Sequence, residues 1–306
     1  MPRIAYFGPS GTFTEMALAQ MESDGVFDGP VERVSAPSPP AALALVHEGL
    51  VDGAVVPIES SVEGPVPPTL DALAVGHRLQ IVAETELDVS FTILGRAGTT
   101  LDAVRSIRAY PVAGAQVRMW IERNLPDADV QSASSNAGAA EDVAAGIADA
   151  AVSTALAGER LGLSVLAGSV ADFDGARTRF VLVTRPAPTP AATGADRTAV
   201  VLQLNNEPGS LVSAMSEFST RGIDLTRIES RPTRIEFGTY RFYLDCIGHI
   251  EDTAVAEALK ALHRKHDVRF LGSWPAATPG GERPPSDEEA TEWLRRIRSG
   301  EPEGRR

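Results

Sequence analysis

The stretch Pro186 to Asp196, PAPTPAATGAD, can build neither a helix nor a strand. Its prolines remove backbone donors and fix φ, and its Ala, Thr and Gly offer no apolar face to bury. A segment that joins no core must connect two. A second such stretch, Ala276 to Ser286 (AATPGGERPPS), sets off a tail. The expected plan is a large unit over residues 1–185, a linker over 186–196, a small unit over 197–274, and a tail over 275–306. The length of 306 residues and a hydrophobic content of 43% allow two cores.

The two units differ in rhythm. In the first, short strands (Arg3 to Phe7, Val31 to Ser35, Gly53 to Ile58, Leu79 to Leu94, Ala148 to Val152, Arg179 to Thr184) alternate with helical patterns. Helices are expected at Thr12 to Met21, at Pro39 to Glu48 behind the N-cap Ser38, from Leu101 to Ile107, over Gly114 to Asn124, and after Thr154. Alternation of this kind implies an α/β fold with a mostly parallel sheet. The second unit reads strand (Thr198 to Leu204), helix (Ser210 to Arg221), two strands (Thr226 to Thr233, Thr239 to Ile247), helix (Thr253 to Lys265), strand (Val268 to Leu271). That βαββαβ order is the α+β, ferredoxin-like split motif. Its uncovered sheet face or edge would suit an oligomer contact. The tail reads as a short helix opened by a Ser286/Glu289 capping box.

Composition excludes several function classes. Asp and Glu total 41 against 28 Lys and Arg, a net charge of −13, so no basic face awaits nucleic-acid phosphates. An anion would have to be held locally, by backbone amides and a few arginines. The single cysteine, Cys246, allows no internal disulfide and no Cys metal cluster. No apolar run is long enough to span a bilayer, and the first residues lack the pattern of a signal peptide, so a cytoplasmic protein is expected. The five histidines have no metal-ligand spacing, and no nucleotide-binding or nucleophile-elbow motif appears. Neither metal nor cofactor is expected.

Four segments could carry chemistry. Gly8 to Glu15 (GPSGTFTE) follows the first strand; Ser10, Gly11 and Thr12 lead into a helix whose first amides suit a carboxylate. Taken alone, an ordinary helix cap is the simpler reading. Val56 to Val66 (VPIESSVEGPV) brings Glu59, Ser61 and Gly64 to the end of a buried strand, where open α/β sheets bind ligands; it also reads as a hinge loop. Thr178-Arg179-Phe180 combines a hydroxyl, a fixed cation and an aromatic wall, against the plain reading of a strand start. Ser153 and Thr154 end another strand at a helix start, where a cap is the simpler role. In the second unit, Asn205 to Val212 offers amides at a helix start, and Glu229 to Pro232 (ESRP) carries opposed charges that could grip both ends of an amino acid. Turn chemistry and a surface ion pair would explain them as well.

Together, the ordered motifs GPSGTFTE, VPIESSVEGPV with TLDAL, TRF, PGSLV and ESRP resemble the prephenate dehydratase family, from about residue 3 to about residue 274. The resemblance implies a two-lobed catalytic domain like the type II periplasmic binding proteins, its second lobe at about 77–165. An ACT regulatory domain is implied over 197–274. The implied reaction is loss of carbon dioxide and hydroxide from prephenate, giving phenylpyruvate on the way to phenylalanine. It further implies Thr178, Arg179 and Phe180 as catalytic residues, and Ser10, Gly11, Thr12, Glu59, Ser61, Gly64, Gln116, Ser153 and Thr154 as substrate contacts. L-Phenylalanine would bind at Asn205, Pro208, Gly209, Ser210, Leu211, Val212, Glu229, Ser230, Arg231 and Pro232, in a homodimer or homotetramer. The family pattern often has His-Pro-Gln where this chain has Tyr110-Pro111-Val112, Asn where Ala176 stands, and Asn where Ser60 stands. Because Met1 lies just before the first strand, no fused chorismate mutase module is expected. Arogenate as substrate, and a non-catalytic sensor of the same fold, remain alternatives.

Overall fold

A computed structural model of the protein describes residues 1–278 and 280–300, and divides into two compact units, Met1–Ala187 and Pro188–Arg306. In the first unit, strand β1 (Arg3–Phe7) buries Ile4, Ala5 and Tyr6. Helix α1 (Phe13–Ser23) starts from Thr12, whose hydroxyl accepts the Glu15 amide. There follow β2 (Glu32–Ala36), α2 (Pro39–His47) with Ser38 as cap, β3 (Gly53–Ser60), the two-residue β4 (Gly64–Pro65), α3 (Pro67–Ala74) and β5 (Gln80–Asp88). The chain then builds a second lobe: β6 (Thr92–Gly95), β7 (Ser106–Ala109), α4 (Pro111–Gln116), α5 (Arg118–Asn124), β8 (Asp129–Ser132), α6 (Asn136–Ala144), β9 (Ala150–Ser153), α7 (Ala155–Leu161) and β10 (Ser164–Ala167). Strand β11 (Arg177–Thr184) returns to the first lobe.

The lobes share one strand plan. The first sheet runs β2-β1-β3-β11-β5 and the second β8-β7-β9-β6-β10. In each, three parallel strands are followed by an antiparallel strand drawn from the chain's crossing between lobes, and then by an antiparallel edge. The unit is thus a two-lobed α/β domain of the periplasmic-binding-protein type. Because β5 pairs in the first sheet, the crossing falls between Asp88 and Thr92, later than the lobe boundary near residue 77 read from the sequence.

Three local readings are corrected. The helix expected over Gly114 to Asn124 is two, α4 and α5, broken at Val117. The Asp172 carboxylate accepts the Met119 and Trp120 amides, each at 2.8 Å, and so caps a new helix where one would have continued. Leu101 to Ile107 forms a single 3-10 turn (Leu101–Ala103) before β7, and the Thr100 side chain makes no capping bond. The tail helix α10 (Glu288–Arg298) is capped at Asp287 rather than through a Ser286/Glu289 box; Ser286 Oγ accepts only the Glu288 amide, at 3.4 Å.

The second unit contains β12 (Asp196–Gln203), α8 (Ser210–Ser219), β13 (Leu225–Pro232), β14 (Tyr240–Ile247), α9 (Thr253–His263) and β15 (Asp267–Pro275) before α10. Its antiparallel sheet has the order β13-β14-β12-β15, the ferredoxin-like arrangement. The helices cover one face, packing Phe218, Val255 and Leu262 on Val200, Leu202 and Leu244. On the other face Tyr243, Asp245 and Trp274 are buried too. Arg227 holds Asp245 with both arms of its guanidinium, Nε at 3.0 Å and Nη2 at 2.7 Å. Removing one member of a buried pair strands the other. Asp245→Ala should therefore lower the unfolding free energy by about 3–5 kcal/mol, read by chemical denaturation. Replacing both residues with apolar ones of similar size should cost much less.

Candidate active site

Side chains alternate along β11, and that alternation builds the site. Thr178 and Phe180 face a cavity of about 290 Å³ lined by both lobes of the first unit. Arg179 does not line it. Its guanidinium, 5% exposed, donates from Nη2 to Glu59 Oε2 at 2.9 Å and from Nη1 to Glu84 Oε2 at 3.2 Å. One buried cation thus ties β3, β11 and β5 together. Between Arg179 and Phe180 the register with β3 slips by a bulge, Arg179 opposing Glu59 and Phe180 opposing Pro57.

Cavity walls are largely apolar, with Phe7, Phe13, Phe91, Phe180, Val66 and Val89 among them. Phe13 and Phe91, one from each lobe, meet edge to face at 5.7 Å. Polar lining comes from Thr12, Thr14, Ser60, Gln116, Ser135, Asn136 and Thr178, and among the described residues the only acidic side chain is Glu63. Helices α1 and α6 begin at the cavity, at Thr12 and Ser135, whose hydroxyls accept the Glu15 and Gly138 amides. Among the described residues, no three metal-ligating side chains come together.

A second layer braces the lobes. Glu15 is buried. Its Oε2 accepts the Gly11 amide at 2.7 Å and Arg160 Nη1, from the second lobe, at 2.6 Å. Ser10 Oγ donates to the same oxygen, and Arg33 reaches the other. Thr154 Oγ1 donates to Gly11 O at 2.7 Å. Gly11 sits at φ +93°, and a Cβ there would lie 3.1 Å from Ala157; only glycine lets the lobes approach so closely. Burial alone would raise the Glu15 carboxyl. The Arg160 hydrogen bond, the Gly11 amide, the Arg160 charge and Ser10 outweigh it and hold the group below the usual carboxylate value.

Of the residues singled out in the sequence, the structure puts Thr12, Gly64, Gln116, Thr178 and Phe180 in the cavity wall. Ser10 and Gly11 serve Glu15, Glu59 pairs with Arg179, and Ser61 Oγ accepts the Arg177 amide. Ser153 Oγ donates to Asn136 O at 2.6 Å, and Thr154 bridges to Gly11. The sequence reading passed over Glu63, Ser135, Asn136 and the two facing phenylalanines. Ser135-Asn136 had a findable signal, a capping pair ahead of a helix. In the second unit, Asn205 to Pro208 form an exposed turn, and Gly209, at φ +85°, is the N-cap of α8. Ser210 is the first helical residue, Leu211 and Val212 are exposed, and Glu229 to Pro232 end β13.

Two family models match the chain: prephenate dehydratase over residues 4–188 and ACT domain over residues 198–264. A curated protein named prephenate dehydratase, from Mycolicibacterium smegmatis, is 61% identical over 307 residues, 98% of this chain and 99% of its own. The solved structure of a prephenate dehydratase in complex with L-Phe, from Arthrobacter aurescens, superposes with a TM-score of 0.88 at 38% identity, over 97% of this chain and 100% of its own. A quorum quenching acylase structure superposes at 0.78 with 32% identity, over 90% of this chain and 98% of that one.

The Glu15 clasp makes stability depend on acid. A carboxyl whose folded pKa lies below its unfolded value of about 4.3 stabilises the fold above that value and stops doing so as pH falls through the folded pKa. Glu15→Gln should melt lower than the native chain at neutral pH, and the gap should narrow on acidification. Thermal melts across that range check it; a constant gap would disprove it.

Proposed function

This chain belongs to the prephenate dehydratase family, and from that premise we propose how its own residues convert prephenate to phenylpyruvate in phenylalanine biosynthesis. The enzyme is a hydro-lyase with a C-terminal ACT domain. Its higher identity to dehydratases, over nearly the full length, favours this activity over acyl hydrolysis.

Prephenate carries two carboxylates and a ring hydroxyl. Loss of one carboxylate as carbon dioxide supplies the electrons that make the ring aromatic as the hydroxyl departs. No carbon-bound proton has to be removed, so a site without histidine suits the reaction. What the reaction needs is a grip on the dianion, an apolar bed for the ring and help for the departing oxygen.

The observation that carries this reading is Thr178 and Phe180 side by side in the wall of a largely apolar cavity. Phe180, Phe13 and Phe91 offer the ring a dry surface. Thr178 donates a hydrogen bond to the leaving oxygen, an interaction strengthened where water is excluded. Among the described residues, no arginine or lysine lines the cavity. The carboxylates are therefore held by the first-turn amides of α1 and α6, which have no partner within their helices, with Thr12, Gln116 and Asn136 beside them. Arg179 acts from the other side of the sheet as a positioning residue.

L-Phenylalanine regulates the enzyme through the second unit, with its carboxylate on the α8 amides after Gly209 and its ammonium at Glu229. The exposed Leu211, Val212, Ile228 and Tyr240 form the contact with a second copy, as a dimer or tetramer. The enzyme works in the cytoplasm; among the described residues no helix is long and apolar enough to cross a membrane.

Thr178→Val should lower phenylpyruvate formation by about 10²–10⁴-fold while leaving the melting temperature unchanged; near-normal turnover would remove Thr178 from the mechanism. Ser210→Val or Arg231→Ala should raise the phenylalanine concentration that halves turnover by about tenfold, within the range of ordinary allosteric coupling. An unaltered phenylalanine response in both would place the regulatory site elsewhere.

A further inference from the structure

The dehydration consumes a proton, and Thr178 alone does not supply it. Prephenate enters as a dianion, and the products are carbon dioxide, water and the phenylpyruvate monoanion. The C–C bond to the ring carboxylate breaks and its electron pair enters the ring. The C–O bond breaks and its pair goes to oxygen. That oxygen leaves as water only after gaining one proton. A threonine hydroxyl can pass a proton along, but it is far too weak an acid to be the source.

We propose that Glu63 is the proton donor of this reaction, a role that rests on the dehydratase reading of the same cavity. Among the described residues, Glu63 carries the one carboxyl in the cavity wall, where Tyr110 is the only other titratable side chain. Its placement follows from the neighbours of Thr178. Ser60 lies directly across from Thr178 in the β3–β11 register, and both line the cavity. Ser60 Oγ accepts the amides of Val62 and Glu63, each at 3.3 Å, folding the loop back over the strand end. Gly64, at φ +77°, completes that turn and starts β4. From the second lobe, Gln116 Nε2 donates to Glu63 Oε1 at 3.3 Å. The residue is thus fixed twice, through its backbone on one lobe and through one carboxyl oxygen on the other. The second oxygen can carry the proton.

Nearby charges leave this carboxyl in charge of the cavity. Arg177, at the start of β11, pairs with Asp88 at 2.9 Å and Glu86 at 3.7 Å. Arg179 and its partners Glu59 and Glu84 occupy the opposite face of the sheet. Glu63 is exposed at the rim, so water restores its proton after each turnover.

The test compares the full-length chain with Glu63→Gln and Glu63→Asp, following phenylpyruvate formation across pH. Glu63→Gln should lower kcat by about 10²–10⁴-fold, with KM unchanged or lower because a repulsive charge is gone. The native kcat should fall as pH rises, and the Gln variant should lose that limb. Glu63→Asp should recover part of kcat, and the exposed position should leave all melting temperatures alike. A Gln variant that keeps kcat within a few-fold of native, or that keeps the same falling limb, overturns the assignment to Glu63 alone. A native chain that leaves prephenate untouched overturns the dehydratase reading and this inference with it.

Discussion

A buried guanidinium holds this site in register. Arg179 lies almost wholly out of water, between a fully buried Glu84 and a half-buried Glu59. A charge in that position persists only with partners, and its partners sit on the strands to either side. Since successive side chains on a strand point to opposite faces, fixing residue 179 below the sheet fixes 178 and 180 above it. The hydroxyl and the ring in the cavity are thus positioned by a cation that never enters it. The bulge between Arg179 and Phe180 is a part of the same fit, shifting β3 so that Pro57 rather than Ile58 opposes the aromatic residue.

The two lobes are held together on more than one side of the cavity. At one side, Gly11 with Thr154 makes a short buried bond across the divide, and Glu15 with Arg160 a short, part-buried one. Elsewhere the longer Glu63–Gln116 bond joins an exposed loop to α4. Bonds between buried groups resist opening more than those between wet ones. The lobes are accordingly joined by shorter bonds at the Glu15 end than at the Glu63 end.

Much of the fold was legible because it is written in periodicity. The alternating strands and the βαββαβ order of the second unit follow from pattern. What escaped was written in long-range contact. Nothing near Met119 announces that Asp172 will cap a new helix there. Helix α6, NAGAAEDVA, carries too little bulk for an apolar stripe, yet its small residues let it pack tightly at the cavity. The site was legible in part for the same reason. Thr178 and Phe180 stand out as a hydroxyl and an aromatic opening a strand, whereas the role of Arg179 depends on Glu84, far away in the chain. Glu63 was passed over because the bond that orients it comes from the other lobe.

Pro57 marks the point where β3 leaves β1, pairs on one edge with β11 alone, and then takes up β4. Any other residue there would carry an amide hydrogen where the strand changes partners. Proline has none, and its carbonyl is taken by the Thr69 hydroxyl at 2.7 Å. The strand thus changes neighbours in the cavity wall with one backbone donor fewer to satisfy.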